Sequence, residues 1–196
     1  MAKPRRTGAE TSETRARILD VTERIMLIDG YASVSSRSVA TDAGVTPALV
    51  HYYFATLDDL FLAVLHRRVE QNLERQRRLL TTSPHPLHTL WELNNDPART
   101  GLVLEFMSLA HHRKAFGAHL AAIATRFREE QYEVLHEHIE RCAAKSGIPP
   151  LVVVVMLNHI AQGTVLEDAI GMDVGTGSTR ALVEQFLDQI EGRPTT

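Results

Sequence analysis

Three polar side chains with rings follow one another in the 196-residue chain, at His51, Tyr52 and Tyr53. They close the segment SSRSVATDAGVTPALVHYYF, residues 35–54, which also carries Arg37. Hydroxyl, imidazole and guanidinium groups are hydrogen-bond donors that can reach phosphate oxygens and base edges. The chemistry that these residue types suggest is therefore recognition, and it depends on the elements that hold them.

Apolar residues in the same segment predict two short helices that cross closely. Val39 and Ala40 lie on the first helix, and Val50 and Phe54 lie on the second. The small side chain of Ala40 lets the two backbones approach, and Gly44 between the helices can take a conformation that is costly for other residues. This pattern is typical of a helix-turn-helix that inserts into the DNA major groove.

Hydroxyl side chains stand where these helices are predicted to begin. Ser35 or Ser36 caps the first short helix, and Thr46 caps the second, where Pro47 fits the first turn because its missing N–H would be unpaired there. A longer helix is predicted after Thr56, which forms a capping box with the aspartate three positions on. The polar rings are thus placed on a helix whose start is encoded locally.

The pieces ARILD, DGYASVSSRSVATDAGV, PALVHYYF and LDDLFLAVL follow one another in this order. With them, the part of the chain from about residue 14 to residue 64 resembles the N-terminal domain of the TetR family of bacterial transcriptional regulators. The resemblance covers about the first third of the chain, and the rest is similar to the family only in being helical and of suitable length.

The resemblance implies a regulator, usually a repressor, that binds a palindromic DNA operator as a homodimer and is released by a small-molecule effector. It also implies that the second short helix is the recognition helix. The residues that would face DNA are Ser36, Arg37, Thr46, Pro47, Ala48, His51, Tyr52 and Tyr53.

Two positions depart from the family pattern. Many members carry a phosphate-binding lysine where this chain has Leu57, and many carry tyrosine where it has His51. The basic run Lys3-Pro4-Arg5-Arg6 lies in a segment, residues 1–12, that we expect to be a flexible arm. Such an arm could replace the missing lysine by entering the minor groove.

Helical spacing continues through the remaining residues, and no convincing alternating strand occurs, so the sequence predicts an all-α protein of about nine helices. We expect a helix-turn-helix domain at 13–56 and a larger helical effector-binding and dimerisation domain at 57–196. The first helix is predicted from Thr11 or Ser12 to Asp29, with Gly30 as its stop. Later helices are predicted at 58–80, 87–93, 98–112, 115–145, 150–171 and 178–191.

The predicted helices after residue 81 are apolar on more than one face, so each must pack on several partners. The family resemblance implies that the last two, 150–171 and 178–191, pair with their copies in a homodimer. It also implies an effector pocket, for a ligand that we expect to be apolar or amphipathic. Candidate ligand-binding residues are polar, aromatic and methionine side chains within these helices: Trp91, Glu105, Phe106, Met107, Phe127, Asn158, His159 and Gln162. For each residue taken singly, the sequence favours the alternative that it is an ordinary core or dimer-interface residue.

Composition narrows the setting. A single cysteine, Cys142, excludes an intramolecular disulfide and fits a reduced compartment. The net charge of -3 argues against indiscriminate binding to nucleic acid. No apolar segment for secretion is present at the N-terminus, and the longest apolar run, 151–157, is too short to cross a bilayer, so we expect a cytoplasmic protein.

Metal and catalytic sites are not predicted. The adjacent pair His111 and His112 diverges around a helix, no HExxH occurs, and one cysteine supplies no thiolate pair. No nucleophile has an evident base, so we expect no cofactor, no metal and no enzymatic activity. Two other classes stay open: a helical carrier or enzyme for small lipophiles that does not act on DNA, and a ligand-independent nucleoid or partner-binding protein.

Overall fold

The computed structural model describes residues 13–192, except for the side chains of residues 143–146. Over this range the chain is all-α, as predicted, with nine α-helices, one 3-10 helix and no strand. The elements are α1 (Glu13–Asp29), the 3-10 helix (Tyr31–Ser33), α2 (Ser36–Ala43), α3 (Pro47–Tyr53), α4 (Leu57–Thr82), α5 (Pro86–Asn94), α6 (Pro97–His112), α7 (Lys114–Ser146), α8 (Pro150–Ala169) and α9 (Thr176–Glu191).

Helix starts and stops agree with the sequence analysis to within about two residues. Thr56 forms the predicted capping box, because its amide donates to Asp59 Oδ2 at 3.0 Å while its Oγ1 accepts from the Asp59 amide at 3.1 Å. Gly30 follows α1 with φ of 80°. The 3-10 helix after it was not predicted. The basic run at residues 3–6 and the predicted arm at 1–12 lie outside the described residues.

The described chain forms two compact units. Unit 1 comprises residues 13–68 with 104–120, and unit 2 comprises 69–103 with 121–192. Helices α4, α6 and α7 each contribute residues to both units. The predicted boundary between residues 56 and 57 divides the chain into a DNA-binding domain and an effector-binding domain, and this division stays a prediction.

Unit 1 buries the apolar faces that cross in the helix-turn-helix. Ile18, Val39 and Leu60, from α1, α2 and α4, are fully buried. On the surface of the unit, Arg67 of α4 pairs with Asp20 Oδ1 of α1 at 2.6 Å. The Arg67 guanidinium also lies 3.3 Å from the Glu23 carboxylate. Apolar packing therefore fixes α1 on α4, and the exposed charges add little to it.

Unit 2 has its own core. It is built from α5, α7, α8 and α9 with the C-terminal part of α4. Leu87, Leu90, Leu157 and Leu187 are almost completely excluded from solvent. Helix α8 contributes buried residues at 153, 154, 157, 161 and 165, which is the spacing of one helix face. Its other face carries exposed apolar side chains, among them Met156.

Helix α8 is apolar along its whole length. Residues Pro150–Ala169 have a mean hydropathy of 1.3 over an 18-residue window, which is enough by length and composition to cross a membrane. The sequence-based expectation that no segment crosses a bilayer considered only the uninterrupted apolar run 151–157, not the whole helix. Of that window, 39% is buried inside the described protein. Helices α3 and α4 are long and apolar enough to cross a membrane only when they are taken together, and they are bent by 63° at the break between them. A single such helix is weak evidence for a membrane span, because core helices of soluble proteins can be equally long and apolar.

The carboxylate of Glu191, the last residue of α9, is fully buried and accepts hydrogen bonds from two other helices. The first-turn amides of α5, at Leu87 and His88, donate to Oε1 at 2.9 Å and to Oε2 at 3.1 Å. The His88 ring lies 2.5 Å from Oε2, and His138 Nε2 of α7 lies 2.7 Å from Oε1. One side chain therefore joins α5, α7 and α9.

We expect the substitution Glu191→Ala to lower the free energy of unfolding by about 3 kcal/mol, because it leaves two amides and two imidazoles without their buried acceptor. Urea unfolding at one fixed protein concentration measures the change. Gln189→Ala, at an exposed position of α9, is the matched control and should change the value by less than about 0.5 kcal/mol. Equal losses in the two variants would contradict the role given to the carboxylate.

Candidate functional site

The turn between α2 and α3 is built from local contacts. Ser35 caps α2, accepting from the Ser38 amide at 3.0 Å, and the Ser38 hydroxyl accepts from the Ser35 amide at 2.9 Å. Gly44 ends α2 with φ of 64° and ψ of 39°, in the left-handed region that glycine tolerates. Thr46 then caps α3, accepting from the Leu49 amide at 3.3 Å. Both predicted caps and the predicted glycine turn are thus confirmed.

Helix α3 has one buried and one exposed face. Val50 and Phe54 are buried at 1% and 4% exposure, whereas Tyr52 is 70% exposed. The predicted DNA-facing set lies on the exposed side of α3 and at the start of α2, with two members, Ser36 and Tyr53, partly buried. The exposed members are Arg37, Thr46, Pro47, Ala48, His51 and Tyr52.

The aromatic rings of α3 form a row that ends in the core. The Tyr52 ring meets the Tyr53 ring edge-on at 5.3 Å, and the Tyr53 ring lies 6.4 Å from the Phe54 ring. The guanidinium of Arg15 in α1 lies over the Phe54 ring at 5.2 Å. Tyr53 thus contacts the buried side as well as the surface, while His51 and Tyr52 present their polar atoms to solvent.

Charge on this surface is concentrated at Arg37. Among the described residues Arg37 makes no ion pair, whereas Asp42 on the same helix pairs with Arg24 Nη2 at 2.6 Å. Leu57, where many family members carry lysine, is the first residue of α4 and is partly buried. An unpaired guanidinium beside the exposed start of α3 can bind a phosphate or a guanine edge.

A short helix with exposed donors, joined by a tight glycine turn to a helix that buries only its apolar face, has the geometry of a helix-turn-helix. The model of the family described as "Bacterial regulatory proteins, tetR family" matches residues 18–64, which contain all of α2 and α3. Residues 18–64 therefore match the N-terminal DNA-binding domain of the TetR family. The chain is a DNA-binding regulator of transcription, as the sequence predicted.

Curated relatives of this regulator extend the likeness beyond the helix-turn-helix. It is 26% identical over 153 residues to the HTH-type transcriptional regulator AcrR of Shigella flexneri, an alignment that spans 74% of this chain and 71% of that one. It is 28% identical over 139 residues to the HTH-type transcriptional repressor BepR of Brucella suis biovar 1 (strain 1330). That alignment spans 67% of this chain and 65% of BepR.

The fold is also that of a solved structure. A putative transcriptional regulator from Saccharomonospora viridis, in complex with choline, superposes with a TM-score of 0.74 over 91% of this chain and 97% of that one. The two sequences are 20% identical, so the likeness shows a shared fold and nothing about the ligand of this chain.

The predicted ligand-binding residues are divided between the two units along the chain. In unit 1, Glu105 Oε2 accepts from the Tyr31 amide at 2.6 Å, Phe106 is buried with its ring 6.0 Å from that of Phe116, and Met107 is exposed. The other members belong to unit 2: Trp91, Phe127, Asn158, His159 and Gln162.

The unit 2 members have different surroundings. The Phe127 ring lies under the Arg99 guanidinium at 5.5 Å. Asn158 is buried and bonds to other side-chain amides, and His159 is exposed with Nδ1 2.7 Å from the carbonyl oxygen of Val155. Gln162 is partly buried. Among them, Trp91 lines the cavity described next, and the assignment of these residues to a ligand stays a prediction.

Unit 2 contains a cavity of about 850 Å³ between α5, α8 and α9. Its volume lies within the range of about 300–1,000 Å³ that is usual for small-molecule sites. Of the lining residues, Trp91 was predicted from the sequence, and the charged side chains were not. A signal for it exists, because Arg180, Glu184 and Asp188 recur every four residues and so form one charged row on α9.

In the part of the chain that the structure describes, no group of three or more His, Cys, Asp or Glu side chains is arranged to hold a metal ion. The adjacent rings of His111 and His112 lie edge-on to each other at 5.2 Å. The absence of a metal or cofactor from the function stays an expectation.

We expect Gly44→Ala to destabilise the protein by about 1 kcal/mol and to weaken DNA binding. A Cβ at this position has no atom within 4 Å, so the penalty comes from the left-handed backbone alone. Gly177→Ala, at a position of α9 with equally open space and no left-handed φ, is the control and should be neutral or stabilising. Thermal unfolding of both variants checks the prediction, and an unchanged Gly44→Ala protein would contradict it.

Proposed function

We propose that the protein is a cytoplasmic transcriptional repressor that binds a palindromic operator as a homodimer and is released by a small-molecule effector. The observation that carries the proposal is the exposed polar face of α3, set in the helix-turn-helix beside Arg37, which makes no ion pair with the residues that the structure describes. The names of AcrR and BepR, a regulator and a repressor, support the mode of action. The proposal contains no catalytic step.

Each polar group of the recognition face has a separate role in the proposed complex. The N-terminus of α3 at Thr46, Pro47 and Ala48 approaches the DNA backbone. Arg37 binds a phosphate, and His51 and Tyr52 reach base edges or the thymine methyl group. Ser36 and Tyr53, which are partly buried, contact the sugar-phosphate backbone at the rim of the surface.

The homodimer is proposed to form through α8 and α9. Both helices expose large apolar side chains, with Met156 at 41% and Leu182 at 67% exposure. Leu151 and Val152 extend this surface at the start of α8, at 46% and 42% exposure. Large apolar side chains exposed on two helices that pack on each other are typical of a protein–protein interface. A symmetric dimer also explains how one short helix reads both halves of a palindrome.

Release by an effector is proposed to follow from differential binding. The effector binds better to the conformer whose recognition helices are wrongly spaced for half-sites about 34 Å apart. The bound effector lowers the affinity of the protein for DNA, and bound DNA lowers the affinity of the protein for the effector by the same factor. Helix α4 is the proposed lever, since it follows the recognition helix and continues into unit 2. The choline complex of the Saccharomonospora viridis regulator supports the presence of an effector site in this fold.

The DNA face is tested after the operator has been found by selecting bound duplexes from a random pool. We expect Tyr52→Ala or His51→Ala to weaken operator binding by about 1–3 kcal/mol, because each removes a contact to a base edge. We expect Arg37→Ala to reduce the slope of log K against log salt by about one, because it removes a phosphate contact. Fluorescence anisotropy at two or more salt concentrations measures both quantities.

Arg128→Ala is the matched control for charge, since Arg128 is an exposed arginine of α7 in unit 2. It should leave operator affinity and salt slope unchanged. If the variants at His51, Tyr52 and Arg37 all bind the operator as well as the parent protein, the recognition face has been misplaced.

The dimer interface is tested by placing charge on it. We expect Leu182→Glu to raise the dimer dissociation constant at least tenfold, because two carboxylates related by the two-fold axis would be desolvated near each other. Sedimentation velocity over a range of concentrations measures the constant. Leu104→Glu, at an exposed apolar position of α6 with 46% exposure, is the control and should leave the dimer intact. A Leu182→Glu protein that dimerises normally would exclude this face.

A further inference from the structure

The cavity between α5, α8 and α9 has an apolar floor. Trp91 of α5 is 4% exposed and Val165 of α8 is 6% exposed. An indole face is the aromatic surface that binds cations best, and it also packs on apolar groups. Trp91 is the only tryptophan in the chain.

The walls of the cavity carry excess negative charge. Two of its carboxylates have a cationic or imidazole partner: Asp168 Oδ2 lies 2.5 Å from Arg180 Nη2, and Asp188 Oδ1 lies 3.0 Å from His88 Nε2. Two more carboxylates line it, Glu92 on α5 and Glu184 on α9, and the charges of these two are not neutralised by an ion pair with any described residue. A cavity with a net negative charge attracts cationic ligands.

A buried acceptor on the cavity wall has no donor. Asn95 Nδ2 donates to the carbonyl oxygen of Trp91 at 2.8 Å. Because that carbonyl can only accept, the orientation of the Asn95 amide is fixed. Asn95 Oδ1 is then buried without a hydrogen-bond partner among the described residues, at a cost of about 1–3 kcal/mol. A ligand with an N–H group would supply the missing donor.

The cavity and the proposed dimer surface occupy different faces of α9. Glu184 lines the cavity and Leu182 belongs to the apolar surface. Two positions along an α-helix are separated by about 200°, so these side chains point in nearly opposite directions. A second copy packed on Leu182 therefore leaves the cavity open to a ligand.

We propose that this cavity binds an organic cation, a protonated primary amine with an apolar or aromatic body. The ammonium group lies between Glu92 and Glu184 and donates to Asn95 Oδ1, and the body packs on Trp91 and Val165. This inference rests on the proposed function only in identifying the ligand as the effector, and binding itself is independent of it.

The test compares ligands of one shape and different charge. The probes are 2-phenylethylammonium, its N,N,N-trimethyl analogue, neutral 2-phenylethanol and anionic 3-phenylpropanoate. Calorimetry measures affinity for the full-length protein, and the emission of Trp91 reports whether binding occurs in the cavity. We expect the primary ammonium to bind about tenfold more tightly than the trimethyl analogue, which cannot donate to Asn95, and more tightly still than the alcohol. The anion should not bind.

Charge variants test the two unpaired carboxylates. Glu92→Gln and Glu184→Gln are exposed substitutions that preserve shape, and each should weaken binding of the primary ammonium about threefold. Glu137→Gln, at an exposed position of α7 away from the cavity, is the matched control and should have no effect. The inference is overturned if the primary ammonium does not bind, if it binds without changing Trp91 emission, if the alcohol or the anion binds as tightly, or if the Glu92 and Glu184 variants behave as the control does.

Operator binding, measured in parallel, separates the two hypotheses. If the ammonium probe binds in the cavity and operator affinity is unchanged, the cation site stands and its role as the effector site falls. If no operator is bound at all, the proposed repressor function falls while the binding test remains decisive for the cavity.

Discussion

The carboxylate of Glu191 joins α5 and α9, two of the three helices that surround the cavity in unit 2. Helix α5 starts at Pro86 after His85, whose side chain makes no capping hydrogen bond, so the first amides of α5 have no local acceptor. Glu191 supplies the acceptor from α9, and its negative charge also suits the positive end of the α5 dipole. Because the same carboxylate lies against His88, and His88 reaches Asp188, the cavity walls on α5 and α9 are positioned by one connected set of hydrogen bonds.

The DNA-binding part depends on shorter-range interactions. Ser35, Gly44 and Thr46 define the ends of α2 and α3 through contacts within a few residues along the chain. Such contacts are encoded in the sequence itself, which is why the helix-turn-helix, its caps and the all-α class were predicted correctly. The glycine is needed because the left-handed turn that it makes directs α3 across α2. The 3-10 helix at Tyr31–Ser33 was missed, since three residues carry no periodicity.

The cavity could not be predicted in the same way, because its lining comes from helices distant in sequence. The charged row on α9 is visible in the sequence, but only the packing of α5 on α9 brings Glu184 and Glu92 to one cavity. Sequence reasoning selected polar residues within apolar helices, such as Glu105 and Asn158, as ligand contacts. In the structure each of these two has partners within the protein. A polar residue in an apolar helix therefore indicates an interaction, without indicating whether the partner is a ligand or another helix.

Asn158 belongs to a chain of buried amides whose direction is set by one charge. Burial lowers the pKa of Arg99 to about 10, so its guanidinium is charged at neutral pH and can only donate. Arg99 donates to Asn94 Oδ1, so Asn94 Nδ2 faces the next amide and donates to Asn158 Oδ1 at 2.5 Å. Asn158 Nδ2 in turn donates to Gln131 Oε1 at 2.9 Å. Gln131 Nε2 then donates to Gln76 Oε1 at 2.8 Å. Reversing one amide would oppose two donors at one junction and two acceptors at another. The charge on α6 thus selects a single arrangement of the amides on α5, α8, α7 and α4, and any shift of these helices that breaks one bond leaves buried polar groups unpaired.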